Sequence, residues 1–365
     1  MDRLNAELQK LDAAGRRRSL SGASGIDFTS NDYLGFRQHP ALREAAQNAL
    51  ENGIDLGAGG SRLLRGNHPA HESVEHAAAT FFGEERALYF SSGFLANYAA
   101  ITTLPARGDV IIFDALIHAS LRDGIQANPA KHMRVAHNDV NAYEDALRSH
   151  PGTCWVVVES VYSMDGDLAP LADLATLCEK YNAWLLVDEA HATGVFGPHG
   201  KGLTHSINYD RMIVLHTCGK GLGVAGGLLC GSSAAIETLI NRARPFIYST
   251  APMPLQAVLV EKALELCAQA DVQREKLFKL CKTARDELAI ASPSPIFPYI
   301  IGGDEAAVDT ATAMQKQGFD LRAIRPPTVP EGTSRLRIAL NATLSEQNIR
   351  DMASALRALN LKAAA

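Results

Sequence analysis

Lys220 and Asp188 are the two residues whose types and placement point most directly to chemistry. Lys220 lies in a loop of small residues, Thr217-Cys-Gly-Lys-Gly-Leu-Gly223, and Asp188 ends an apolar run upstream of it. A lysine amine forms a Schiff base with an aldehyde, and a carboxylate keeps a pyridine nitrogen protonated so that the ring accepts electrons. Pyridoxal 5'-phosphate (PLP) enzymes require both groups. The pair therefore predicts a PLP-dependent enzyme.

The chain around these residues alternates short apolar runs with helix-like stretches. Five runs of four residues are bounded by polar residues or glycine: Ala87–Phe90, Val110–Phe113, Trp155–Val158, Trp184–Val187 and Met212–Leu215. Runs of this kind are typical of strands that are covered on both faces. Between them, stretches such as Leu171–Tyr181 have apolar residues at helical spacing. The alternation predicts an α/β domain with a mostly parallel sheet.

Polar and small residues collect directly after these runs, where an open α/β sheet binds its ligands. They are Ser92, Gly93, Asp114, Glu159, Asp188 and Thr217. The Ser92-Gly93 junction leads into a helix, and the first N–H groups of a helix suit a phosphate. The Thr217 hydroxyl is a second candidate for the same phosphate.

Two histidines are candidates for contacts with the cofactor ring. His191 follows Asp188 by three residues and could reach the phenolic oxygen, whereas His118 follows another strand end and could stack on the pyridine. Simpler interpretations exist, because a lone histidine is often a satisfied polar group and a lone aspartate often caps a helix. For Asp188, the lysine downstream favours the chemical interpretation.

Two arginines are candidates for binding a carboxylate, since a guanidinium binds one in bidentate fashion. Arg325 lies in Ala323-Ile-Arg-Pro-Pro-Thr-Val-Pro330, a loop that three prolines stiffen, and Arg337 lies in the strand-like Arg335-Leu-Arg337. The alternative is that each arginine is an ordinary surface charge or a salt-bridge partner.

Composition excludes several other classes of protein. The 365 residues carry a formal net charge of −5, with a pI near 6.2, which gives no electrostatic argument for a nucleic-acid partner. The N-terminal residues lack the apolar core of a signal peptide, and no apolar run is long enough to span a bilayer. The six cysteines are scattered, which indicates reduced thiols in a cytoplasmic protein, and no zinc site is expected.

Several strings in this chain, taken together, resemble the α-oxoamine synthases, fold-type I PLP enzymes that condense an amino acid with an acyl thioester. The strings are Ser30–Gly35, Gly59–Ser61, Ser92–Asn97, His118–Ser120, Glu159–Gly166, Val187–Gly194, Thr217–Lys220, Tyr248–Thr250 and Arg335–Arg337. The resemblance implies the aspartate aminotransferase-like PLP-dependent transferase fold. In that fold the large domain has a mostly parallel seven-stranded sheet, and a smaller α+β domain follows at the C-terminus.

We expect three parts along the chain. They are an N-terminal segment over residues 1–36 that forms a substrate lip, a large PLP-binding domain over 37–250 and an α+β domain over 251–365. In the last part, the sequence predicts a helical stretch over Leu255–Leu288 and strands over Ile296–Ile301 and Ser334–Leu340.

The resemblance also implies a role for each matching residue. Lys220 would form the Schiff base and remove the Cα proton of the amino acid, Asp188 would pair with the pyridine nitrogen, and His118 would stack on the ring. Further cofactor contacts would come from Ser92, Gly93, Phe94, Glu159, Ser163, His191 and Thr217, and from Thr250 across the interface of a homodimer. Substrate contacts would come from Asn31, from Arg337 at the amino-acid carboxylate, and from Arg325 and Arg16 at the far end of the acyl chain.

Two strings narrow the resemblance to one branch of the family. Ala136–Asp139 and Ala323–Pro330 are similar to the members that join L-alanine to a pimeloyl thioester in biotin biosynthesis, with release of CO2 and a free thiol. The thiol carrier would be coenzyme A or acyl carrier protein. The short stretch between Arg18 and Asp27, together with Cys218 and Glu189, departs from the usual pattern.

Three alternatives compete with this interpretation. Another α-oxoamine synthase would use glycine or serine with a different acyl thioester, and a non-catalytic protein of the same fold would bind PLP without turnover. The string Asp188-Glu-Ala-His191 is also found in nucleic-acid-dependent ATPases, but those need a GxxxxGK[ST] loop, which this sequence lacks.

Replacing Lys220 by alanine is the first test of these expectations. We expect Lys220→Ala to abolish turnover, because no other amine in the predicted site can bind the cofactor aldehyde and accept the substrate proton. Steady-state assays of the variant measure this, and measurable turnover by Lys220→Ala would refute the role given to the lysine.

Overall fold

The computed structural model describes residues 2–20 and 22–363, which form two compact units. The larger unit comprises Asp32–Ser163 and Leu168–Arg274. The smaller unit comprises the chain up to Asn31, the short segment Met164–Asp167 and the chain from Glu275 onward. These units are defined by internal packing and not by independent folding, so the boundaries expected after residues 36 and 250 stay a prediction.

The larger unit contains a seven-stranded, mostly parallel sheet. In spatial order its strands are Arg86–Phe90, Gly227–Gly231, Met212–Thr217, Trp184–Asp188, Cys154–Glu159, Val110–Asp114 and Lys131–Val135. Gly227–Gly231 runs antiparallel to both of its neighbours, and the other pairings are parallel. Each of the five predicted apolar runs lies within one of these strands, which confirms the predicted α/β class.

Two strands of this sheet were not predicted. Lys131–Val135 is an edge strand with mostly exposed polar side chains, so it has no apolar run. Gly227–Gly231 is fully buried but begins and ends with glycine. A Cβ on Gly227 would lie 2.8 Å from Gly93 Cα. Close backbone packing at this point, and not side-chain burial, therefore selects glycine.

Helices cover both faces of the sheet. They are Pro40–Glu51, Pro69–Phe82, Gly93–Thr103, Ala119–Ala127, Val140–Arg148, Leu171–Lys180, Ser233–Arg242, Arg244–Ile247 and Pro254–Ala268, with 3₁₀ turns at Phe36–Gln38, Pro198–Gly200 and Thr204–Ser206. In one central strand, Trp155 and Val157 pack in one apolar cluster while Val156 and Val158 pack in another. The strand is therefore buried on both faces, as the unbroken apolar run indicates.

The predicted helical stretch Leu255–Leu288 is divided. Pro254–Ala268 ends before Gln269, and a second helix, Asp271–Leu288, follows at once and crosses from one unit into the other. Asp271 lies in the first turn of the second helix, where a carboxylate is favourable. Because the junction contains no proline or glycine, the break between the helices has no strong sequence signal.

The smaller unit has an α+β architecture, as expected. Its antiparallel sheet has the order Ala323–Ile324, Ser334–Ala339 and Ile296–Gly302, and Ile26–Asp27 pairs in parallel with Phe319–Asp320. Its other helices are Asp2–Ala13, Asp304–Lys316 and Glu346–Ala363. In the part of the chain that the structure describes, no helix combines the length and hydropathy required to cross a membrane.

His216 is a buried histidine inside the central sheet. It is 1% exposed, its ring stacks on Phe82 with 3.5 Å between centroids, and its Nδ1 lies 2.9 Å from Thr193 Oγ1. Burial lowers the pKa of His216 to about 3. The unfolded chain therefore binds one proton more than the folded chain as the pH falls below the ordinary histidine range.

This linkage makes the stability of the fold depend on pH. The free energy of unfolding should fall on acidification, and His216→Phe should reduce the slope by about 1.4 kcal/mol per pH unit between about pH 6 and 4. Urea unfolding across this range measures the slope. His205, which is exposed, supplies the control. An unchanged slope in His216→Phe, or an equal change in His205→Phe, would contradict the assignment.

Candidate active site

The candidate site lies at the carboxyl ends of the central parallel strands. Glu159 and Asp188 end neighbouring strands and are paired in register, and Thr217 ends the next strand. Parallel strands bring these ends to one edge of the sheet, where α/β folds bind ligands. The structure thus brings together the residues that the sequence placed after separate apolar runs.

Asp188 is almost completely buried, with 3% exposure. Its Oδ2 accepts a hydrogen bond from Asn97 Nδ2 at 2.7 Å, and its Oδ1 accepts one from the Ala190 N–H at 2.8 Å. Two neutral donors therefore orient the carboxylate. A buried carboxylate with neutral hydrogen-bond partners gains from a cation placed against it.

Asn97 also connects Asp188 to His118. Its Nδ2 lies 3.0 Å from Ser120 Oγ, and Ser120 Oγ lies 2.8 Å from His118 Nδ1. His118 caps the helix Ala119–Ala127 by accepting the Ser120 N–H at 3.2 Å. Burial lowers the pKa of His118, although the charge of Asp188 acts in the opposite direction, and the net shift favours the neutral ring. Phe94, 46% exposed, makes an edge contact with this ring.

Lys220 is hydrogen-bonded to His191. Lys220 Nζ lies 2.7 Å from His191 Nε2, and His191 Nδ1 lies 2.6 Å from the Tyr33 hydroxyl. Tyr33 is fully buried and His191 is 4% exposed. The histidine that the sequence placed near the phenolic oxygen thus lies directly beside the predicted catalytic amine.

The small residues around Lys220 are required by close packing. A Cβ on Gly221 would lie 2.3 Å from Thr193 O, and a Cβ on Gly223 would lie 2.6 Å from Phe36 Cβ. Gly223 also has a φ of +66°, in the left-handed region that favours glycine. The loop therefore fits only with glycine at these positions. Cys218 is fully buried in an apolar cluster, where it packs as a small side chain.

Glu159 is buried beside Asp188. Its Oε2 accepts the Ser163 N–H at 3.1 Å, and its Oε1 makes no hydrogen bond within the described residues. Burial, together with the charge of Asp188, raises the pKa of Glu159 well above its ordinary value. This shift favours the uncharged form of Glu159 beside the carboxylate of Asp188.

The predicted phosphate cradle lies at the start of the helix Gly93–Thr103. Ser92 caps this helix, with its Oγ accepting the Leu95 N–H at 3.2 Å. A Cβ on Gly93 would lie 3.0 Å from Thr217 Oγ1. The helix N-terminus and the Thr217 hydroxyl therefore border the same space, which the missing Cβ leaves open.

The predicted substrate residues belong to the smaller unit. Arg16 forms ion pairs with Asp304 at 2.7 Å and Glu331 at 2.6 Å, and Arg325 donates to Gly15 O. Arg337 is buried in Ser334–Ala339. Asn31 is the last residue of the N-terminal part of this unit and is half-buried. Thr250, by contrast, lies exposed in the larger unit.

Sequence reasoning gave no role to Tyr33, Asn97 or Ser120, although each lies in a string that carried the family resemblance. Tyrosine, asparagine and serine have no strong reactive signature, so only their contacts with reactive residues reveal them. The string Ala136–Asp139, which helped to narrow the resemblance, has a structural role: two of its residues bind Asp114. His137 Nδ1 and the Asn138 N–H lie 2.8 Å from the buried Asp114 carboxylate.

Comparisons with known proteins agree with the fold. The model of the class I and II aminotransferase family matches residues 23–356. The 8-amino-7-oxononanoate synthase of Herminiimonas arsenicoxydans is 42% identical, with 94% of this chain and 92% of that protein covered. The chain therefore belongs to the class I and II aminotransferase family and, within it, to the 8-amino-7-oxononanoate synthases.

Two further proteins support this placement. The 8-amino-7-oxononanoate synthase of Chromobacterium violaceum is 44% identical, with 88% of this chain and 86% of that protein covered. A solved structure of a serine palmitoyltransferase with PLP superimposes on this chain with a TM-score of 0.90. The two sequences are 30% identical, and the match covers 98% of this chain and 96% of the serine palmitoyltransferase chain. The fold-type I architecture predicted from the sequence is thus confirmed.

The Tyr33–His191 contact generates a test of stability. Tyr33→Phe leaves the buried Nδ1 of His191 without this partner and should cost about 1–3 kcal/mol of unfolding free energy. Tyr181, half-buried with its hydroxyl 3.1 Å from Glu144 Oε1, is the matched control. Tyr181→Phe should cost less than about 1 kcal/mol. Urea unfolding compares the two variants, and equal losses of unfolding free energy would contradict a larger contribution from the buried contact.

Proposed function

We propose that this chain catalyses the decarboxylative condensation of L-alanine with a pimeloyl thioester. The products are 8-amino-7-oxononanoate, CO2 and the free thiol, in biotin biosynthesis, and the cofactor is PLP. The observation that carries the proposal is the 2.7 Å contact of Lys220 Nζ with His191 Nε2, three residues after the strand end at Asp188, in a chain 42% identical to a synthase of this name.

The residues present fit PLP. Asp188 would pair with the pyridine nitrogen, because its buried carboxylate has two neutral donors and gains from a cationic partner. The amine of Lys220 would bind covalently to the aldehyde carbon of PLP. The space beside Gly93 and Thr217 suits the phosphate group. When bound, PLP supplies an electron-accepting ring that stabilises negative charge at the Cα of the amino acid.

The protein's own groups supply orientation and proton transfer. Lys220 would accept the Cα proton of alanine, and His191, 2.7 Å away, holds the amine in place for this transfer. The neutral His118 ring would pack against the pyridine face. Burial and the charge of Asp188 raise the pKa of Glu159, which favours its uncharged form beside Asp188.

The substrate carboxylates would be bound by residues of the smaller unit. We assign Arg337, with Asn31, to the amino-acid carboxylate, and Arg325 to the far carboxylate of the pimeloyl chain. Arg16 is a weaker candidate, because a substrate would compete with Asp304 and Glu331 for its guanidinium.

We also propose that the chain acts as a cytoplasmic homodimer in which Thr250 contacts the partner's cofactor. Tyr248 is 71% exposed and Thr250 is exposed, so this edge of the larger unit is available for a second copy. Coenzyme A and acyl carrier protein deliver the same thioester, and either carrier is compatible with the proposed reaction.

The amino-acid substrate distinguishes the proposal from a glycine- or serine-using synthase. With PLP and pimeloyl-CoA, we expect alanine to exceed glycine and serine in kcat/KM by about tenfold or more, since one methyl or hydroxyl group is discriminated by about this factor. Thiol release and the mass of the product measure the reaction. Lys220→Ala is the control, and equal or faster turnover with glycine or serine would overturn the choice of alanine.

A further inference from the structure

Asp188, Asn97, Ser120 and His118 form a continuous hydrogen-bonded chain. The steps from Asp188 Oδ2 to Asn97 Nδ2, on to Ser120 Oγ and then to His118 Nδ1 measure 2.7, 3.0 and 2.8 Å. Asn97 is 1% exposed and Ser120 is fully buried. Two residues without any acid–base chemistry of their own thus connect the two groups that face the cofactor in the proposed function.

The direction of every hydrogen bond in this chain is determined. Only the nitrogen of the Asn97 amide donates, and it has two hydrogens, one for Asp188 Oδ2 and one for Ser120 Oγ. Because Ser120 Oγ accepts from Asn97, its own hydrogen is available for His118 Nδ1. The Ser120 N–H points at the same nitrogen, at 3.2 Å. His118 Nδ1 is therefore an acceptor, and its ring proton is on Nε2.

We propose that Asn97 and Ser120 are positioning residues that lock His118 in its neutral Nε2–H tautomer and orient it relative to Asp188. The consequence for catalysis rests on the proposed function. A neutral ring packs against a protonated pyridine without repulsion, whereas an imidazolium would place a second positive charge there. The Asn97 amide thus serves two cofactor contacts at once.

Several charged groups also act on the His118 ring. Asp188 and Asp123 favour the protonated ring, while Lys220 and burial favour the neutral ring. Asp188 ends a central strand, Asp123 lies on the helix that His118 caps, and Lys220 follows another strand. Because the carboxylates of Asp188 and Asp123 favour the protonated ring, the two hydrogen-bond donors at Nδ1 act against them and help to keep the ring neutral.

Removing the Ser120 hydroxyl tests this assignment directly. In the full chain with isotope-labelled histidine, NMR titration should show the His118 midpoint rise by about one pH unit or less in Ser120→Ala, because one of two donors at Nδ1 is lost. His118→Gln assigns the signal. Ser232→Ala is the matched control, since Ser232 caps the helix Ser233–Arg242 with the same kind of hydroxyl.

An unchanged or lower midpoint in Ser120→Ala, or an equal rise in Ser232→Ala, would overturn the proposal. Asn97→Ala supplies a second arm: it should raise the midpoint and also weaken PLP binding more than Ser120→Ala does, because it alone loses the contact with Asp188. Equal PLP affinity in the two variants would refute the shared role of Asn97. The titration needs no substrate, so its outcome is separate from the alanine assay, which tests the reaction itself.

Discussion

The buried carboxylate of Asp188 is the constraint on which the rest of the candidate site depends. It follows Leu185, Leu186 and Val187, which are fully buried, so its charge is satisfied by protein donors or by a bound cation and not by bulk water. Asn97 supplies one of those donors from the helix Gly93–Thr103. Because the same helix begins at the predicted phosphate cradle, one packing arrangement positions both the carboxylate and the residues of that cradle.

Backbone packing is the second constraint, and it explains why the site is rich in glycine. Gly221 and Gly223 let the Lys220 loop approach Thr193 and Phe36 at distances that no side chain would allow. The lysine is then held by His191, whose other nitrogen meets Tyr33. Close-packed glycines and a histidine with two partners together orient one amine. Such preorganisation is what acid–base chemistry requires of a protein scaffold.

The sequence predicted the parts of the fold that rest on continuous burial. All five predicted runs are strands, and burial on both faces explains their unbroken apolar residues. It did not predict Lys131–Val135, Gly227–Gly231 or the break before Asp271, since an exposed edge strand, a glycine-flanked strand and a helix junction have no such pattern. For the site, reactive side chains could be found by type, whereas Asn97, Ser120 and Tyr33 become visible only through their contacts in three dimensions.

The strings that suggested a substrate have unequal weight once their contacts are known. In Ala136–Asp139, His137 and Asn138 bind Asp114, and Asp139 caps the helix Val140–Arg148, so the string is explained by local structure. In the strand Ser334–Ala339, Arg335 pairs with Asp165 and so anchors the Met164–Asp167 segment in the smaller unit. Arg325 and Arg337 are then the residues whose guanidinium groups support a substrate with carboxylates. Since the chemistry at Lys220 would be the same for alanine, glycine or serine, the choice among them rests on the relatives and on direct measurement.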